Sequence, residues 1–282
     1  MRRPHRASIA CSAKIVRTHA AWPNRIGARL SQAALLVHGC ASDMSEASVR
    51  FRSIQTQKQS EGRAMRALPY TEWRQRWPEF IVRKATEPAA VLLQRYYKAN
   101  SFGVPNYSGA RFEAVASLNP DPHSIGPADF TAVSMLSVDI PAQAAIRLLG
   151  RDALEITELL RRIPPDKDII DIDSNELVSG SAVSRLWDVL RRGGDGLGRT
   201  KTSKLIAAKR PRLIPIWDNF VEQATGLDTA DYWRQFQRVL TVDDYAMWNW
   251  LTDLRSHAPN VPATVSNLRI LDVLLWMTVD QK

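Results

Sequence analysis

From about Leu68 onwards, apolar residues recur three and four positions apart, and this spacing most narrowly limits what the chain can fold into. One such stripe would comprise, along a single side of an α-helix, Ala89, Leu92, Leu93 and Tyr96. Proline, glycine and capping residues separate these stretches at helix-sized intervals. We therefore expect an all-α, multi-helix globular domain over residues 67–282, with nine or more helices in one compact unit or two lobes.

The individual helices are predicted from these stripes and their end signals. Asp152 with Glu155, and Thr241 with Asp244, have the spacing of capping boxes, and Ser181 can cap a further helix. A helix over 267–277 is apolar at most positions and should lie at the centre. Residues 102–112 are expected to form a loop, and only 167–173 has strand character. The remaining helices are predicted over 87–100, 127–136, 141–149, 152–163 and 199–209, and after Thr229.

The net charge of +9 comes entirely from the N-terminal segment. Residues 1–66 hold 12 Lys and Arg against 3 acids, whereas the other 216 residues hold 26 of each sign. The segment has no sustained period that would build a core, so we predict a disordered basic tail. A targeting peptide, or sequence upstream of a true start at Met44 or Met65, are the alternatives.

Several classes of protein are excluded or disfavoured. No apolar run approaches the ~18 residues of a membrane-spanning helix, so no membrane partner is expected. The only cysteines are Cys11 and Cys40, which favours a reducing, cytoplasmic setting. The five histidines are dispersed, and no P-loop or dinucleotide fingerprint is present. We expect neither a metal nor a cofactor.

One short stretch concentrates positive charge within the otherwise neutral domain. Residues 191–212 contain eight basic side chains and the single acid Asp195, a local +7. Two interpretations remain open, an anion-binding face and an ordinary solvated helix surface. The basic residues are Arg191, Arg192, Arg199, Lys201, Lys204, Lys209, Arg210 and Arg212.

Glycines lie directly before the helix predicted over 199–209. Gly196 and Gly198 would let backbone amides at the helix N-terminus approach a phosphate oxygen, which the helix dipole also attracts. We therefore predict a DNA-phosphate site comprising Gly196, Gly198, Arg199, Thr200, Lys201 and Lys204.

The sequence Gly196-Leu197-Gly198-Arg199 resembles the helix-hairpin-helix motif of the DNA glycosylase superfamily. Asp218 follows Thr200 by 18 residues, which is similar to the spacing of that family's catalytic aspartate. The resemblance covers about 26 residues and implies that Asp218 is catalytic. Thr200 replaces the lysine of the bifunctional enzymes, and Lys201 reaches that role only if one residue is inserted. Residues 107–112 and 209–218 also resemble an uncharacterised bacterial helical family, which implies no mechanism.

Three hypotheses about function follow, from three classes of protein. The first is a DNA-binding module without sequence specificity, which contacts phosphates around Gly196. The second is a monofunctional N-glycosylase in which Asp218 stabilises the developing sugar cation or orients water, with Trp217 or Tyr107 stacking on a flipped base. The third is a non-enzymatic module that binds an acidic protein partner. Asp218 has a purely structural alternative as a helix cap, and Trp217 as a core residue.

Overall fold

The computed structural model describes residues 72–230 and 232–280, and this part of the chain is helical. It contains no β-strand, only an isolated bridge between Ala99 and Pro105. Short 3₁₀ turns cover Ser108–Arg111, Ile169–Asp171 and Ser174–Leu177. The α-helices of these residues are α1 (Trp73–Arg76), α2 (Glu79–Val82), α3 (Thr86–Tyr97), α4 (Phe112–Ala116), α5 (Pro127–Met135), α6 (Ala142–Leu149), α7 (Ala153–Arg161), α8 (Ala182–Arg191), α9 (Arg199–Lys209), α10 (Asn219–Thr225), α11 (Tyr232–His257) and α12 (Asn267–Asp280).

The all-α fold predicted from the sequence is confirmed. α9 has the predicted bounds, and two predicted serine caps are formed at other helices. Ser181 Oγ accepts a hydrogen bond from the Ser184 amide at 3.2 Å at the start of α8. Ser266 Oγ accepts from the Arg269 amide at 3.1 Å at the start of α12. These caps satisfy amides that have no partner within the helix, which is why the local signals located the helix starts correctly.

Some local predictions are wrong. Residues 167–173 form no strand; a 3₁₀ turn replaces it, and the amide of Ile169 donates to the carbonyl of Arg212 at 3.0 Å. The loop predicted over 102–112 contains a 3₁₀ turn and the start of α4. The capping box of Thr241 is also absent, because left-handed backbone at residues 243–245 interrupts α11 and Thr241 Oγ1 donates to the carbonyl of Gln237 at 2.9 Å.

The side chain of Asp152 does not cap α7, although the sequence predicted that it would. Its carboxylate is 1% exposed and accepts hydrogen bonds from arginines instead. Arg147 donates from 2.6 Å and Arg192 from 2.8 Å. Guanidinium groups bind a buried carboxylate more strongly than a neutral amide does, so long-range pairing replaces the local cap.

α12 is the central helix, as predicted, and packs against α3, α10 and α11. Its apolar side chains are almost completely removed from solvent, and burial of each contributes about 1.5–3 kcal/mol. They include Leu268, Ile270, Leu271, Val273, Leu274, Leu275 and Met277. α9 packs against α4, α5 and α8, and the chain between α9 and α10 brings their facing ends together near α12.

The predicted disordered tail over residues 1–66 lies outside the described residues, and the boundary at residue 67 remains a prediction. Among the helices that the structure describes, none has both the length and the apolar character that crossing a membrane requires.

Candidate ligand-binding site

The turn before α9 contains one glycine that the backbone requires. Gly196 has φ +83°, a conformation that side-chain-bearing residues rarely adopt, and a Cβ there would lie 3.2 Å from Cγ of Pro141. Gly198 is the N-cap of α9, and a Cβ there would have no atom within 4 Å. The space around Gly198 is therefore open, and the N-terminus of α9 is accessible.

The local charge of +7 in the sequence does not form a single exposed basic face. Five of the eight basic side chains pair with carboxylates from other parts of the chain. Arg210 is completely buried and donates to the carbonyls of Leu160 and Ile163 at the end of α7. Arg191 lies over the ring of Trp187 at 5.5 Å. The five pairs are Arg192 with Asp152 and Glu155, Arg199 with Asp228, Lys204 with Asp218, Lys209 with Asp129, and Arg212 with Asp168.

Lys201 is half-buried in the first turn of α9, and no ion pair is found for it among the described residues. Its neighbour Arg199 is exposed and joins Asp228 at 2.6 Å. The exposed positive charge at this helix end therefore comes from few side chains, and the backbone amides contribute to it as well.

Trp217 belongs to the core. It is 2% exposed, its indole N–H donates to the carbonyl of Leu227 at 2.9 Å, and the guanidinium of Arg199 lies 4.8 Å from its ring centre. Its backbone amide donates to Ser203 Oγ at 2.7 Å. The ring therefore has no open face on which a base could stack in this conformation.

Asp218 is both the cap of α10 and part of an open cavity. Its Oδ1 accepts hydrogen bonds from the amides of Phe220 at 3.1 Å and Val221 at 3.0 Å. Its Oδ2 lies 3.2 Å from Lys204 Nζ, which also donates to the carbonyl of Leu136 at 3.1 Å. Both side chains are more than nine-tenths buried, so this ion pair is only weakly screened by solvent.

This ion pair lies in the wall of a cavity of about 350 Å³ that is open to solvent. The cavity brings together four residues that the sequence nominated separately, namely Tyr107, Thr200, Lys204 and Asp218. Lys201, Gly196, Gly198, Arg199 and Trp217 are not part of its lining. Because Thr200 lies in the first turn of α9, the cavity extends to the proposed phosphate site.

Aromatic rings form the apolar wall of this cavity. Tyr107 stacks on Tyr96 with ring centres 5.1 Å apart and an angle of 9° between the planes. Trp276 packs edge-on against Tyr107 at 5.6 Å and tilts against Phe220 at 5.6 Å. The hydroxyl of Ser108, next to Tyr107, donates to the carbonyl of Met135 at 2.7 Å and ties this wall to α5. The cavity has the size and walls suited to a planar ring.

The sequence did not nominate the charged residues that α12 adds to this cavity. Arg269 and Asp272 are three residues apart, are buried, and form a salt bridge. Arg269 Nη2 also donates to Tyr96 Oη at 2.8 Å and to the carbonyl of Gly109 at 3.0 Å. Its Nε lies 3.2 Å from Oε1 of Glu113, which approaches from α4.

Burial controls the protonation of the acids in this cluster. Desolvation raises the pKa of Asp272 to about 6, against the lowering effect of the charge on Arg269; the charge on Asp218 also raises this pKa, and that on Lys204 lowers it. Burial likewise raises the pKa of Glu113, and Arg269 opposes that shift. Among the described residues, no group of three or more His, Cys, Asp or Glu side chains could hold a metal ion.

Fold and site together define an all-helical protein with an aromatic-walled cavity that contains a buried lysine–aspartate pair. The chain belongs to a family of unknown function (DUF6308), whose sequence model matches residues 89–279. That match runs from α3 to α12 and includes every lining residue named above. Comparisons with curated proteins and with solved structures find no match. The resemblance of residues 196–218 to DNA glycosylases therefore remains a prediction.

Proposed function

We propose that the cavity binds one base extruded from a nucleic acid, and that Asp218 promotes hydrolysis of its N-glycosidic bond. The observation that carries this proposal is the position of Asp218, whose carboxylate caps α10 and lines the aromatic-walled cavity at the same time. An aspartate that served only as a cap would need no cavity beside it. A ring stacked along Tyr107 and Trp276 would share the cavity with this carboxylate.

The surroundings of Asp218 suit an anion that stabilises positive charge. Two amides fix Oδ1, so the carboxylate is held in one orientation before any ligand arrives. Lys204 contacts Oδ2 only, and its second hydrogen bond to Leu136 restrains the ammonium group. A preorganised charge in a poorly hydrated cavity stabilises a charged transition state more strongly than a mobile one in water does.

The reaction we propose is a hydrolysis without a covalent intermediate. The bond between C1′ and the base nitrogen breaks, its electron pair leaves with the base, and Asp218 stabilises the positive charge that develops on the sugar. A water molecule then adds through its oxygen to C1′, and its two protons are shared between the departing base and solvent. The products are a free base and a sugar hydroxyl. Lys204 holds Asp218 in place and takes no part in bond making.

The test is release of free base from oligonucleotides that carry a panel of altered bases, with and without the chain. Asp218→Asn is the informative variant, because asparagine caps a helix about as well as aspartate but has no negative charge. We expect release to be lost in this variant while the circular dichroism spectrum stays unchanged. Asp253→Asn is the matched control, because Asp253 is an exposed acid on α11. Equal release by wild type and Asp218→Asn would remove Asp218 from the reaction.

A second candidate function is DNA binding through phosphates without any chemistry. The open backbone around Gly198 and the proximity of Arg199, Thr200 and Lys201 at the α9 N-terminus support it. The pairing of Arg199 with Asp228 argues for few phosphate contacts and therefore for weak binding.

Binding of duplex DNA at several salt concentrations tests this second candidate. We expect affinity to fall as salt rises, and Lys201→Glu to weaken binding equally for every sequence. The double variant with Lys204→Glu, proposed from the sequence, is less informative because it also breaks the buried pair with Asp218. Absence of binding at low salt, with nuclease-resistant capture of an acidic protein instead, would favour the protein-interaction alternative.

A further inference from the structure

The charged side chains around the cavity do not balance one another. Lys204 and Arg269 contribute two positive charges, whereas Asp218, Asp272 and Glu113 contribute three negative charges. All five side chains are at least nine-tenths buried. When every group is ionised, the cluster therefore has a net charge of −1 in a place where water screens it poorly.

The excess negative charge is unevenly distributed. Asp218 receives two amides and an ammonium group, so its charge is well compensated. Neither carboxylate oxygen of Glu113 has a hydrogen-bond donor among the described residues. Asp272 is bound by Arg269 through Oδ2, and no hydrogen bond from the described part of the chain reaches its Oδ1.

Of the two poorly compensated acids, only Asp272 lines the 350 Å³ cavity. Glu113 lies behind Arg269 and lines a separate, much smaller space next to Asp272. A ligand in the main cavity can therefore complete the hydrogen bonding of Asp272, but it acts on Glu113 only through the overall charge. Burial raises the pKa of both acids, which is consistent with a cluster that lacks one positive charge.

We infer that the ligand supplies this missing charge: the cavity takes a planar ring that carries a positive charge and directs an N–H group at Oδ1 of Asp272. The aromatic walls formed by Tyr107, Phe220 and Trp276 favour such a ligand, because the faces of aromatic rings attract cations. The inference rests on the proposed function, since it names the class of ring that the same cavity selects.

Three planar probes of nearly equal shape test the charge directly: benzamidine, benzamide and benzoate are a cation, a neutral molecule and an anion. Their binding to the full chain is measured by calorimetry and by the NMR shift of the Trp276 indole N–H. We expect benzamidine to bind at least about tenfold more tightly than benzamide, as a charged hydrogen bond to Asp272 requires, and benzoate to bind least. Equal binding of all three, preference for benzoate, or no binding at millimolar concentration overturns the inference.

Variants locate the selectivity. Asp272→Asn is expected to remove the preference for benzamidine, and Asp253→Asn, which removes an exposed acid far along α11, is expected to keep it. The comparison of probes on the wild-type chain stands even if Asp272→Asn does not fold. A preference for benzamidine without base release would support the charge inference and contradict the proposed hydrolysis. Base release without that preference would do the opposite.

Discussion

Lys204 Nζ lies 3.2 Å from Oδ2 of Asp218, and the two residues join the middle of α9 to the N-terminus of α10 beneath an open cavity. Each side chain serves two purposes. Lys204 also holds the carbonyl of Leu136, and Asp218 also caps α10. The pair therefore couples the stability of this part of the fold to the electrostatics of the cavity.

Removal of only one member of this pair should cost more than removal of both. Lys204→Met leaves a carboxylate buried without its cation, and we expect the free energy of unfolding to fall by about 3 kcal/mol. The double variant Lys204→Met/Asp218→Asn should recover part of that loss. Urea unfolding of the wild type, both single variants and the double variant measures the coupling.

The exposed pair of Arg83 and Glu79 is the control for this cycle. Its atoms are closer, at 2.6 Å, but both side chains are about three-quarters exposed. We expect a coupling close to zero there, because solvent screens the charges. Equal coupling in the two pairs would contradict the view that burial makes the Lys204–Asp218 interaction strong.

Gly109 forms part of the cavity wall, and we expect that no larger residue can replace it without cost. A Cβ there would collide with the hydroxyl of Tyr96 and lie 3.1 Å from Nη2 of Arg269. Gly109→Ala should therefore lower the free energy of unfolding by roughly 1–3 kcal/mol and disturb the stacking of Tyr96 on Tyr107. Thermal unfolding and aromatic NMR shifts measure the two effects.

Gly198→Ala is the matched variant, since its new methyl group would meet no atom within 4 Å. It should cost at most about 1 kcal/mol through the poorer N-cap and should leave the Tyr96 signals in place. Similar spectral changes in both variants would show that the cavity wall is not what makes Gly109 necessary.

Helices were predictable here because their signals are local. A serine cap such as Ser181 acts on an amide three residues away, and a proline such as Pro127 needs no distant partner to begin a helix. Asp218 was recognised for the same reason, as a cap and as a residue at a motif's spacing. The predicted strand failed because residues 167–173 are shaped by a hydrogen bond from Arg212, about 40 positions further on in the chain.

Charge was misjudged because electrostatic pairing is long-range. The acids that neutralise Arg199 and Lys209 lie 29 and 80 residues away in the sequence, so a local count of charges could not include them. Arg269 and Asp272 stood out only as polar interruptions in an apolar helix. Such buried charged residues in a central helix are the signal that could have indicated the cavity.

Asp152 should make the fold sensitive to acid. Burial alone would raise its pKa, but hydrogen bonds from Arg192, Arg147 and Arg151 outweigh burial and lower the pKa from 3.8 to about 2. Because the folded-state pKa is the lower one, this interaction stabilises the fold above pH 3.8, by about 2 kcal/mol, and the contribution is lost as pH falls towards 2. Asp152→Asn should therefore destabilise the chain at pH 7 and make little difference at pH 2. Urea unfolding at both pH values is the measurement, and a constant effect of the substitution would contradict the assignment.

Asp272 should have the opposite pH dependence. Its folded pKa of about 6 exceeds the ordinary value of 3.8, so the folded state holds a proton that the unfolded state releases. The groups that set this pKa, besides burial, are Arg269, Asp218 and Lys204. Stability is therefore lost as pH rises through this window, by at most about 3 kcal/mol.

Asp272→Asn removes this titration. The free energy of unfolding of the wild type, relative to that of the variant, should decrease between pH 4 and pH 7, whatever fixed cost the substitution adds. Urea unfolding at four or five pH values measures the slope, with Asp253→Asn as the control that should show none. A difference that grows with pH would mean that Arg269 stabilises the ionised carboxylate more than burial opposes it, and Asp272 would then already be compensated without a cationic ligand.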